Sequence, residues 1–104
     1  EAQAEVSDIF RLVSLAVVRA RRGEHNASDA MLADLVARHG ADSPYQVAEV
    51  HAQRGEPDLA FEWLERAHAT RDPGLSYLKI DPFLAPLHAD ARWQPLLAKM
   101  GVAG

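Results

Sequence analysis

Residues 46–71, QVAEVHAQRGEPDLAFEWLERAHATR, constrain the fold of this chain more than any other stretch. Apolar or small residues recur at helical spacing on both sides of Arg54-Gly55-Glu56-Pro57. Val47, Ala48 and Val50 precede that turn; Ala60, Leu64 and Ala67 follow it. A spacing of three to four residues gathers each set on one helical face. Gly55 suits the position just past a helix, where φ is often positive. Pro57 suits a first helical turn, where its missing N–H costs nothing. Two short helices folded back on each other are therefore expected.

The motif has an echo. Ala20-Arg21-Arg22-Gly23-Glu24 matches Ala52-Gln53-Arg54-Gly55-Glu56 as A-x-R-G-E, 32 residues apart. The register holds around it: Leu15 pairs with Val47, Ala16 with Ala48, Val18 with Val50, Ser28 with Ala60 and Leu32 with Leu64. Large positions match large and small match small, the signature of stacked helical hairpins. Residues 41–73 resemble the tetratricopeptide repeat: Val47-Ala48 stands at its Leu-Gly pair, His51 at its Tyr slot, and Ala60, Leu64 and Ala67 at its later small and large slots. Pro73 lies near the repeat-ending proline, while Pro44 replaces the usual Trp. In the first unit Ala16 and Ser28 form the small pair, and Arg19 falls at the Tyr slot.

The tail, YLKIDPFLAPLHADARWQPLLAKMG, is similar to a C-terminal cap that follows such repeats in bacterial proteins. Leu78-Lys79, Asp81-Pro82, Leu87, Asp90, Arg92, Leu96-Leu97 and Met100-Gly101 carry that likeness; Ala91 and Trp93 depart from it. The resemblance implies an all-α solenoid of tetratricopeptide-like hairpins with a helical cap: hairpins over about 5–40 and 41–73, and the cap over 74–104. It also implies a larger bacterial host, such as a winged-helix regulator, nucleotide cyclase or kinase.

Breakers place the other elements. A first helix is expected over 5–22, a second over 26–39 capped by Asn26, a third from Ser43-Pro44 to Arg54, and a fourth over 57–70. Asp72-Pro73-Gly74 and Asp81-Pro82 interrupt the tail; Asp90 is expected to cap a last helix reaching Met100. The first helix is apolar nearly all round, which asks for burial on more than one side.

Composition narrows the function. The 104 residues suit one domain, and a hydrophobic content of 48% supports a core. Net charge is −4, so no global field favours nucleic acid. No apolar run is long enough to span a bilayer. Cysteine is absent, which fits cytoplasm, the expected compartment, and periplasm alike. The five histidines lack metal-ligand spacing, and neither a nucleophile motif nor a phosphate-binding glycine loop occurs. No enzyme activity, cofactor or metal is expected.

The expected function is protein–protein interaction, with a protein or peptide partner. Following the resemblance, the first helix of each hairpin lines a concave face. That face would carry Phe10, Val13, Val17 and Arg21 from the first unit, and Tyr45, Glu49, Ala52 and Gln53 from the second. Tyr45 and Glu49 stand where some relatives place the Lys and Asn of a carboxylate clamp, so an acidic-tail ligand is not expected. The alternative is homodimerisation through the apolar first helix.

Overall fold

A computed structural model describes residues 2–101; residue 1 and the last three of the expected cap, 102–104, lie outside the described residues. The chain is all-α, with no strand among the described residues. Four longer helices come first: α1 (Ala2–Arg21), α2 (His25–His39), α3 (Pro44–Gln53) and α4 (Pro57–Ala69). Two 3-10 turns, η1 (Pro73–Tyr77) and η2 (Pro82–Leu87), lead to the short α5 (Trp93–Lys99). No helix among the described residues is long and apolar enough to cross a membrane.

Helix α1 packs on α2 and α3 packs on α4; α3 also touches α1, α2 and η2, so it lies at the centre. Ala48 and Ala60, the small residues that allow close approach, are fully buried, as are Ala16 and Ser28 in the first hairpin. Leu12, Leu35, Val47, Val50 and Leu64 fill the space around them. Buried Leu78, Leu84, Leu87, Trp93, Leu96 and Leu97 carry the core into the tail.

Helix ends differ from expectation in instructive ways. Asn26 lies inside α2; the cap position falls on Glu24, whose carboxylate instead takes an ion pair from Arg19 at 2.7 Å. Ser43 occupies the cap position of α3 without a side-chain cap bond. The Asp90 carboxylate accepts the Arg92 N–H at 2.9 Å, one turn short of α5. Both glycines of the echoed motif have positive φ, 77° at Gly23 and 75° at Gly55. Each follows its helix with the same pair of bonds: Glu24 N–H to Arg19 O and Glu56 N–H to His51 O, both 2.9 Å, beside Gly23 N–H to Ala20 O and Gly55 N–H to Ala52 O.

Candidate interaction groove

Tyr45 is the knot that ties the tail to the helices. It stands at the second position of α3, where the backbone N–H has no partner within the helix. Asp72, 27 residues away, supplies one: its Oδ2 accepts that N–H at 3.1 Å while its Oδ1 accepts Gly74 N–H at 2.8 Å. Asp81 repeats the device. Its Oδ1 accepts Phe83 N–H at 2.9 Å, and its Oδ2 accepts the Tyr45 hydroxyl at 2.6 Å. Each aspartate thus shapes its own Asp-Pro turn with one oxygen and holds Tyr45 with the other. The ring is covered by Gly74, where an added Cβ would stand 2.7 Å from ring carbons. Burial, and then the bond to Asp81, push the phenol well above its ordinary pKa.

One helical turn on, Glu49 meets the same aspartate. Burial, followed by a hydrogen bond to Asp81 and the nearby charges of Asp81 and Asp72, raises its carboxyl from 4.5 to about 9. Burial beside other acidic groups favours the neutral carboxyl, so near neutrality Glu49 holds its proton.

Glu49 opens onto a groove of about 460 Å³. Val6, Ile9, Phe10 and Val13 of α1 form one wall, Pro73, Gly74 and Phe83 of the tail another, and Gln46 and Glu49 of α3 lie between. Phe10 is 73% exposed and Val6 65%, high values for large apolar side chains.

The structure sorts the expected concave residues. Phe10 and Glu49 come together in the groove, and Val13, a core residue at 5% exposure, borders it. Arg21 and Gln53 are hydrogen-bonded to each other and border a separate, more polar hollow; Gln53 also donates to Phe83 O at 2.9 Å. Val17, Tyr45 and Ala52 are buried at 4%, 2% and 2% exposure, so they belong to the core rather than to a surface. Tertiary contact with α2, α3 and the tail covers them, which spacing along α1 or α3 cannot report. The tail residues of the groove were absent from the expected site. The Asp-Pro pairs marked turns, yet only folding brings both onto Tyr45.

A second polar cluster locks the hairpins together. Arg54 donates to Ser28 Oγ at 2.8 Å, Asp29 at 2.6 Å and Glu56 at 3.0 Å; Ser28 in turn donates to Ala16 O at 2.7 Å. His51, at the repeat's Tyr slot, is 6% exposed and pairs with Glu56 at 2.8 Å. Burial works to raise Glu56, but bonds from Arg54 and His51 outweigh it and lower the carboxyl. Among the described residues no group of His, Asp and Glu is arranged to hold a metal.

Comparison with protein-family models, with curated proteins and with solved structures gave no significant match.

Proposed function

We propose that this chain is a protein–protein interaction module of tetratricopeptide-like hairpins, serving as a scaffold or regulatory segment of a larger bacterial protein. The groove carries this reading. It is walled by exposed Val6 and Phe10 of α1, with Gln46 and Glu49 of α3 and Asp72 of the tail among its polar lining. Such a surface suits a peptide or helix that offers apolar anchors. The packing of α3 against both helices of the first hairpin supports stacked hairpins. The echoed A-x-R-G-E turns support a duplicated unit.

The test is selection of random twelve-residue peptides on the immobilised chain. Selected peptides bind the unaltered chain, and Phe10→Ser weakens them at least tenfold without shifting the thermal midpoint by more than a degree or two (roughly, given that exposed substitutions move stability by less than about 0.5 kcal/mol). Binding that ignores Phe10→Ser would remove the groove from the function. Homodimerisation is the second reading, favoured by the same exposed Phe10 and Val6.

A further inference from the structure

We propose that the groove between α1, α3 and the tail takes a protein segment whose apolar face carries one lysine or arginine, with that cation seated against the Glu49 carboxyl group. This deepens the interaction-module reading and rests on it.

Charge complementarity selects the occupant. The charged residues lining the groove are Asp42, Glu49 and Asp72, all acidic. The α1 wall contributes Ser14 beside its apolar residues, and no charge. Around Glu49 stand Asp81 and Asp72 from the tail and Tyr45 one turn before it on α3; all are acids or a phenol. Asp72 is committed, with one oxygen on Gly74 N–H and the other on Tyr45 N–H. Asp81 is likewise held by Phe83 N–H and the Tyr45 hydroxyl. Glu49, partly exposed, and Asp72 both reach the groove, and the oxygens of Asp72 are already taken.

Three kinds of segment can be weighed at that point. An acidic side chain would add a like charge to an acidic cluster and be repelled. An uncharged segment would bury Glu49 further while leaving its proton in place. An ammonium or guanidinium replaces that proton: the Glu49 carboxyl ionises and accepts a charge-assisted hydrogen bond. The apolar wall of Val6, Ile9 and Phe10 then takes the neighbouring aliphatic or aromatic side chains. Binding expels a proton from Glu49, so affinity rises with pH up to about 9.

The selection described above decides the matter. Enriched peptides carry Lys or Arg beside apolar residues. By titration calorimetry in two buffers of different ionisation enthalpy, binding at pH 7 releases about one proton. Glu49→Gln, whose amide still donates to Asp81, weakens these peptides about tenfold or more and abolishes proton release. Glu62→Gln, an exposed change on α4 that also removes one negative charge, leaves both unchanged. Neutral or acidic peptides that still depend on Phe10 would overturn the basic-segment proposal and leave the interaction module standing. Peptides indifferent to Phe10→Ser, or none at all, would overturn both. A chain that is dimeric alone and monomeric as Phe10→Ser would overturn the proposal in favour of a second copy as occupant.

Discussion

At the scale of single residues, the chain's most consequential side chains are those that satisfy two elements at once. Tyr45 donates its N–H to Asp72 and its hydroxyl to Asp81, so one residue anchors both turns of the tail. Gly74 is required by that arrangement, because a methyl group there would drive into the Tyr45 ring at 2.7 Å. Gly74→Ala is expected to displace the ring and cost about 1–3 kcal/mol, as overpacking does. Urea unfolding read by tyrosine and tryptophan fluorescence measures it, and an unchanged midpoint would contradict the close approach. Glu49 makes a prediction about pH. Its pKa rises from 4.5 unfolded to about 9 folded, so the folded state holds more protons between those values. Stability from this group is complete below 4.5 and is lost as pH rises through about 9. Glu49→Gln therefore flattens the decline of the urea midpoint across that window. A slope unaltered by the substitution would rule out Glu49 as its source. Asp8 and Glu56 act oppositely. Hydrogen bonds from His39 and Arg11 lower Asp8; at Glu56, burial is outweighed by Arg54 and His51. Stability from both is present above their unfolded values and is lost as pH falls through the lowered ones.

At the scale of elements, three helices end in the same way but with different residues. After α1, and again after α3, glycine takes the left-handed position, at Gly23 and Gly55. After α4 the same position is Arg71, at φ 57°, with Asp72 N–H bonded to Ala67 O at 2.9 Å and Arg71 N–H to His68 O at 3.2 Å. A side chain with a Cβ is strained there by about 1–2 kcal/mol. Arg71→Gly is expected to stabilise the chain by roughly 0.5–1 kcal/mol, a gain reduced by the entropy of an unfolded glycine. Thermal unfolding should show a higher midpoint; a lower one would mean that the Arg71 side chain contributes more than its backbone costs. The Asp72-Pro73 pair explains why α4 stops here despite lacking glycine. Proline disfavours helix in the residue before it, and Asp72 is extended at ψ 125°.

At the scale of the whole molecule, the first helix is covered on one side and open on another. Leu12, Val13, Ala16 and Val17 face the core at 5% exposure or less, whereas Val6 and Phe10 remain in the open. Substitutions that test self-association therefore belong at Phe10 and Val6; Val13→Glu or Val17→Glu would bury a charge in the core and unfold the chain instead. Light scattering over a concentration series is expected to return the mass of one chain, 11.4 kDa, with the groove open for a different partner. Twice that mass, reduced to one by Phe10→Ser, would establish the homodimer. Ion pairs also hold the cap down on α4. Arg92 reaches Asp58 at 2.8 Å and lies over the Phe61 ring at 4.6 Å, while Lys99 pairs with Glu65. These pairs are exposed and contribute modestly; the buried leucines and Trp93 of the tail do more.

The sequence alone determined the helical class and the positions of nearly every break, because periodicity, glycine and proline act locally. The small residues at Ala16, Ser28, Ala48 and Ala60 already marked where helices meet. Helical spacing put Phe10 and Val13 on one face of α1, and the repeat resemblance set Glu49 of α3 beside them. The sequence did not reveal that Tyr45 would be buried, that Asp72 rather than Ser43 would cap α3, or that Asp81 would accept the Tyr45 hydroxyl. Those contacts join residues 27 to 36 positions apart, and nothing in local spacing encodes which distant carboxylate arrives. Only the folded tail, turning twice at its Asp-Pro pairs, brings Asp72 and Asp81 onto α3.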